Sequence, residues 1–334
     1  MSVVTRSGVA ERADWRVTLR SLAERNTWTL GLIGLLGAFI VITKLIQPGY
    51  GAAQLQGLAI GALPLAMAAA GQAIVVISGG IDLSVGSMMA LTSVTAAVLM
   101  NGQPESFGVV VVLGVLLLGI VLGTINGTLV VITRVPDIVV TLAMSFVWAG
   151  AALLVLNTPG GGSSQWLKDL ANGSIGSEWI PRALIAMVVL VGVIWIPLRR
   201  STTGLALYAV GSDRLAAFRS GVSVGRTKIL AYAFTGLFSA FGGLALTAST
   251  GIGTPVPGAY TLLGIAAIVL GGVSLAGGRG GIAGPIVAVF VLALVRTDLT
   301  LLGVNSNLSS VIQGAILIGV VMLGSLLMMR RARA

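Results

Sequence analysis

The chain has 334 residues, 56% of them hydrophobic and 9% charged, where an ordinary soluble domain carries roughly 25% charged residues. With a mean hydropathy of +1.03 it lacks the side chains for a polar shell, which excludes a soluble fold and points to an all-α, polytopic membrane protein. The formal net charge is +10, and the absence of Cys and His excludes disulfides, thiol nucleophiles, imidazole bases and the usual zinc ligands, leaving the redox compartment open.

Ten apolar stretches approach the roughly 20 residues that cross a bilayer: about 28–46, 55–78, 82–100, 108–132, 138–156, 183–198, 228–250, 260–276, 282–303 and 308–329. They predict one transmembrane domain over 28–329, preceded by a cytoplasmic segment (1–27) and followed by a short cytoplasmic tail (330–334). The first run has no small-residue cleavage pattern and reads as a span rather than a signal peptide. Basic residues test the count independently, because short loops rich in Lys and Arg stay inside. With both termini inside, 16 of the 20 Lys and Arg residues fall on the cytoplasmic side. Only Lys44, Lys168 and Arg182 lie outside, and Arg296 lies within a span. The positive charge is therefore a topology signal, and no nucleic-acid partner is expected.

Between the second and third spans stands SGGIDLSVGS (78–87). One reading is a tight inner turn in which Asp82 caps the third helix by accepting its first free N–H groups. The other places the break within the membrane, lining a cavity, so that Asp82, Ser84 and Ser87 face a passing solute. In the fourth span, GIVLGTING sets Gly119, Gly123 and Gly127 on one face, the pattern of close helix packing in lipid.

The outer loop 157–182 is rich in Gly, Ser and Asn and carries Trp166 and Trp179, as suits a surface lobe with interfacial aromatics. The inner loop 199–228 contains DRLAAFRSGV, where Asp213 can cap a short helix bearing Leu215, Ala216 and Phe218, and Gly221 can end it. Such patterning fits a helix lying against a cytoplasmic partner or on the lipid surface. After the eighth run, GGVSLAGGRGGIAGP (271–285) follows AIVLGG, a weak likeness to AIVVISGG from Ala73 that hints at duplicated halves. It lacks phosphate-loop spacing, and no GxxxxGK[ST] occurs elsewhere. In the ninth span, ALVRTDLTLLGV holds Arg296 and Asp298, which need partners or water rather than lipid. They read either as a structural pair, with Arg296 reaching the interface, or as part of the solute path.

GGIDLSVGS (79–87), GTINGTLV and RVPDIVVTLAM (123–144), GSDRLAAFRSGV (211–222) and LLGIAAIVLGGVSLAGGRGGI (262–282) resemble the permease subunit of bacterial ribose-type ATP-binding-cassette sugar importers. The resemblance runs in order from about residue 55 to the C-terminus. Ala149-Gly150 replaces the Arg-Gly of many relatives, and RTDLT near 296 is more charged than the usual Asn-Gly-Leu type of segment; both departures bear on which sugar is carried.

The resemblance implies an importer permease fold in the bacterial inner membrane, moving a monosaccharide or related polyol by ATP-driven alternating access. The chain itself would be non-catalytic and hold no cofactor. ATP and Mg would sit on a cytoplasmic ATPase with two nucleotide-binding domains. A second permease subunit, the same or a sister chain, and a periplasmic or lipid-anchored sugar-binding protein would complete the assembly. Coupling to the ATPase would fall to Asp213, Arg214, Ala216, Phe218, Arg219 and Gly221, with Arg279 on the next inner turn. The path would run past Asp82, Ser84, Asn126 and Thr141, with Arg296 and Asp298 further out. The alternatives are a branched-chain amino-acid type of permease, or a secondary transporter that needs no ATPase.

Overall fold

A computed structural model describes residues 27–256, 258–305 and 307–315, with 318, 319 and 322 beyond them. The N-terminal segment, the C-terminal tail and much of the tenth expected span lie outside these residues. Residues 307–315 are helical. In chain order the elements are α1 (Thr27–Ile46), α2 (Ala52–Ile77), α3 (Val85–Met100), α4 (Phe107–Thr133), α5 (Asp137–Val155) and α6 (Gln165–Ala171). A small hairpin follows, β1 (Ser174–Ile175) and β2 (Ser177–Pro181), then α7 (Arg182–Arg200), α8 (Thr202–Ser212), α9 (Arg214–Arg219), α10 (Val224–Thr250), α11 (Tyr260–Leu270) and α12 (Ala283–Leu301). The fold is an all-α polytopic bundle. Among the described residues, seven helices are long and apolar enough to cross a membrane.

The bundle is built around α10, which packs on α2, α3 and α4. Lipid supplies little hydrophobic drive between helices, so close backbone approach has to hold them together. A Cβ on Gly123 would meet the Tyr232 carbonyl, and one on Gly236 would meet the Gly119 carbonyl. The glycine face of α4 is thus the seam against α10. Outward-facing side chains stay apolar: on α5, Ile138, Val139, Leu142 and Phe146 are exposed, as a lipid-facing helix requires.

Two expected spans are only partly helical. α3 begins at Val85 rather than at 82, and α11 ends at Leu270, although its apolar run continues to 276. The Gly86 N–H donates to Thr261 Oγ1 at 2.9 Å. Leu270, whose carbonyl accepts from Trp28 Nε1 at 2.8 Å, lies nine residues beyond Thr261, about 14 Å at ~1.5 Å per residue. Both helices therefore start deep inside the bundle. The chain reaches α11 through 251–259, where Gly253 exchanges hydrogen bonds of 2.7 and 3.2 Å with Gly160 and a Cβ on it would meet Val94 and Ala97.

The same C-terminal motif ends α2, ahead of the late start of α3, and stops α11 short of its apolar run. After α2, Gly79 takes φ +74° and the Gly80 N–H reaches the Val75 carbonyl at 2.9 Å. After α11, Gly272 takes φ +82° and the Val273 N–H reaches the Ile268 carbonyl at 2.9 Å. Such left-handed caps end a helix whatever the hydropathy of the residues beyond. The likeness between the two strings thus has a structural counterpart, with Gly79 matching Gly272, one residue out of the register that the letters suggest.

Gly123→Val should be unable to close the α4–α10 seam, costing about 1–3 kcal/mol or more as overpacking does. The expected result is loss of monodisperse protein or a lowered melting temperature in detergent. Gly114→Ala, where a Cβ meets nothing within 4 Å, should behave as wild type.

Candidate functional site

The segment 79–84 between α2 and α3 runs through a buried polar network. Asp82, Ser84, Asn126 and Thr141, four positions singled out from the sequence, all have 0% exposure. Asp82 Oδ1 accepts from the Ser84 N–H at 2.8 Å and the Ser84 hydroxyl at 2.6 Å. Asn126 Nδ2 donates to Ser84 Oγ at 2.7 Å, and its Oδ1 accepts from Trp148 Nε1 at 3.2 Å. Thr141 Oγ1 accepts from the Leu83 N–H at 3.1 Å. Gln72 Nε2 donates to the Asp82 carbonyl at 2.5 Å. Gln72 precedes the end of α2 by five residues, so this carbonyl lies about 7–8 Å inside that end at ~1.5 Å per residue.

Asp82 does not cap α3 in the manner expected. Its carboxylate folds back on Ser84, before the helix, and the first α3 N–H with a side-chain partner, that of Gly86, is satisfied by Thr261. Ser87 turns its hydroxyl to the Ser84 carbonyl at 2.8 Å.

Beside this network, α5 and α10 hold an ion pair. Lys228 Nζ contacts the two Asp137 oxygens at 2.8 and 2.7 Å, with side-chain exposures of 6% and 15%. The Tyr232 hydroxyl lies 2.9 Å from Asp137 Oδ2 and 3.2 Å from the Ile81 carbonyl. α10 begins at Val224, four residues earlier than the expected span, which carries Lys228 into the bundle.

The same end of the molecule carries α9. Asp213 caps it, its Oδ1 accepting from the Leu215 and Ala216 N–H groups at 2.8 and 3.0 Å. Gly221 at φ +83° ends it, and the Val222 N–H returns to the Ala217 carbonyl at 3.0 Å. Ala217 faces inward, while Leu215, Ala216, Phe218 and Arg219 are exposed.

α9 is tied to the break by Arg214, whose Nη2 donates to the Gly79 carbonyl at 2.9 Å. Around it three turns meet: the Gly278 N–H donates to the Ile77 carbonyl at 2.9 Å, and Cβ atoms on Gly211 and Gly277 would meet Ile77 and Gly79. Arg279 is exposed beside this junction, followed by Gly280, whose carbonyl accepts from Tyr208 at 2.7 Å. Burial pushes the Tyr208 phenol up, with Arg199 opposing it.

Arg296 and Asp298 lie apart from this network and from each other. Two helical positions separate side chains by roughly 200°. Asp298 Oδ1 accepts from Thr43 Oγ1 of α1 at 2.7 Å, whereas Arg296 lines a cavity of about 500 Å³. The two form no pair.

The family model described as "Branched-chain amino acid transport system / permease component" matches residues 54–321. The chain belongs to this family. The autoinducer 2 import system permease protein LsrD of Escherichia coli K12, and its counterparts in Escherichia coli O157:H7 and Shigella flexneri, are 33% identical to the chain over 314 residues. The match covers 89% of this chain and 92% of each relative. No solved structure matches significantly. The chain is the permease subunit of an ATP-binding-cassette importer, a multi-pass protein of the bacterial inner membrane.

The permease network includes residues that pattern reading passed over: Gln72, Asp137, Trp148, Lys228 and Tyr232. Gln72 had a signal, being a lone amide in the run AAAGQAIVVI. Asp137 and Lys228 each stand at the edge of an apolar run, where a charge ordinarily signals water rather than a partner.

Lys228→Met should destabilise the permease by about 3–5 kcal/mol by stranding Asp137. The double variant Asp137→Asn with Lys228→Met should recover most of that loss in a thermal or denaturant titration. Asp82→Asn keeps an acceptor for Ser84 and should fold normally. Asp82→Ala should lower stability by about 1–3 kcal/mol through the donors it strands.

Proposed function

We propose that the permease imports a monosaccharide or a related small polyol, received from a separate binding protein and moved by ATP hydrolysis on a separate cytoplasmic ATPase. On this reading the chain itself is non-catalytic, and it pairs with a second permease subunit, the same chain or a sister. Relatives named for autoinducer 2 import and the GGIDLSVGS string support a small hydroxylated solute. The family description also names branched-chain amino acids, so leucine belongs in any solute panel.

The observation that carries the reading is α9: a capped helix with Leu215, Ala216 and Phe218 exposed, tied through Arg214 to the turn that opens the membrane break. A helix displaying apolar side chains at a polar face needs a partner surface. Arg199, Arg200, Arg214, Arg219, Arg226 and Arg279 all belong to that end, and this concentration of positive charge supports a cytoplasmic orientation for it. Asp213, Arg219 and Gly221 shape and flank the docking helix, and Arg279 offers a second contact.

In this mechanism nucleotide-driven closure of the ATPase displaces α9, and Arg214 passes the displacement to Gly79 and the segment beyond it. Asp82, Ser84, Asn126 and Thr141 lie on that segment or against it. Opening it would expose hydroxyl, amide and carboxylate groups to the solute, switching the permease between outward-open and inward-open states.

Asp213→Ala removes the cap, worth about 1 kcal/mol, and Phe218→Ser removes the apolar contact. Either should cut solute-stimulated ATP hydrolysis by the reconstituted complex about threefold to tenfold, with membrane insertion unchanged. Unaltered stimulation in both variants, or uptake by the permease without the ATPase, would overturn the reading. ATP-dependent uptake of leucine but of no sugar would reassign the solute.

A further inference from the structure

The cavity of about 500 Å³ opens at the end opposite α9, between the first half of α2, the start of α11, the last turns of α12 and the helix at 307–315. Leucine, alanine and glycine form much of its wall, and Tyr50, Gln54, Tyr260, Arg296 and Gln313 add polar groups to it. Its size is that of an ordinary small-molecule site, roughly 300–1,000 Å³.

Arg296 is the one charged side chain in this lining. Asp298, the acid nearest in sequence, is 6% exposed and turned to Thr43, and Arg296 makes no ion pair among the described residues. The sequence from 299 to 334 contains no Asp or Glu, so the chain beyond Asp298 brings no counter-charge. The Tyr50 hydroxyl, in a residue 7% exposed, has no hydrogen-bond partner. A guanidinium offers a planar fork of donors matched to an oxyanion, and Arg296, itself exposed, is open to one that enters the cavity.

We propose that this cavity is a solute subsite selective for small hydroxylated molecules bearing an anionic oxygen group, a sugar acid being the plain case. Arg296 takes the anionic oxygens, and Tyr50, Gln54 and Gln313 take hydroxyls. The proposal rests on the permease reading and narrows its solute class. A lipid phosphate presents the same oxyanion chemistry and is the competing occupant.

The test uses the complete permease–ATPase complex in phosphatidylcholine nanodiscs, titrated with D-ribonate and with D-ribose by saturation-transfer NMR. Ribonate should bind about tenfold more tightly than ribose. Arg296→Gln should abolish that preference, and Arg296→Lys should keep part of it. Tyr50→Phe, which leaves the charge in place, should weaken both probes and provides a second reading if Arg296→Gln does not fold. Equal binding of the two probes, a preference that survives Arg296→Gln, or no binding of either overturns the proposal. Loss of ribonate binding only when phosphatidylglycerol is added assigns the oxyanion to lipid and also overturns it. ATP dependence of uptake, measured separately in proteoliposomes, shows whether the permease reading itself has failed.

Discussion

A break inside a lipid-embedded bundle is tolerated only if every backbone N–H and C=O it frees finds a partner, because lipid offers none. In the segment 81–86 the partners are mostly side chains. The Ile81 carbonyl lies within reach of the Thr141 and Tyr232 hydroxyls, the Asp82 carbonyl accepts from Gln72, and the Leu83 N–H donates to Thr141. The Ser84 N–H donates to Asp82, and the Gly86 N–H to Thr261. Four side chains from α2, α5, α10 and α11, together with Asp82 of the segment itself, thus stand in for one missing turn of helix. That requirement accounts for Gln72, Asp82, Thr141, Tyr232 and Thr261 in an otherwise apolar bundle.

It also sets the packing. Side chains as short as threonine and serine reach a neighbouring backbone only when the helices are close, and glycine is what brings them close. The Gly119, Gly123 and Gly236 seam draws α4 onto α10, which places Asn126 against Ser84 and Tyr232 against Ile81. At the α9 end, Gly211, Gly277 and Gly278 let three turns stack where any Cβ would collide with backbone. Packing glycines and network residues are therefore one device.

The fold class, most helix positions and the chemistry of α9 were legible in the sequence, because apolar run length, basic residues and Asp-to-Gly helix punctuation are local signals. Asp213 and Gly221 bound α9 where the pattern placed them. The interrupted spans were less legible: hydropathy registers burial and is blind to φ, so a run such as VLGGV reads as span although Gly272 turns the chain out of the helix. The Lys228–Asp137 pair was hidden for another reason. The partners are 91 positions apart, and nothing at either position announces the other. Arg296 and Asp298 were visible as charges in a span, but their divergence depends on what surrounds α12.

The energetic character of the break follows from its partners. A continuous helix resists bending through a ladder of backbone bonds that must fail together, whereas 79–86 is held by separate side-chain bonds, each worth about 0.5–1.5 kcal/mol net. These bonds belong to different helices, so a small relative shift of α5, α10 or α11 loosens some and leaves the others. Residues already in the left-handed region, Gly79, Gly272 and Gly277, can absorb the accompanying torsion without a Cβ penalty. The Lys228–Asp137 pair opposes that freedom by fixing the starts of α5 and α10 to one another. The bundle thus concentrates its compliance in a few residues, next to the turn whose Gly79 carbonyl accepts from Arg214.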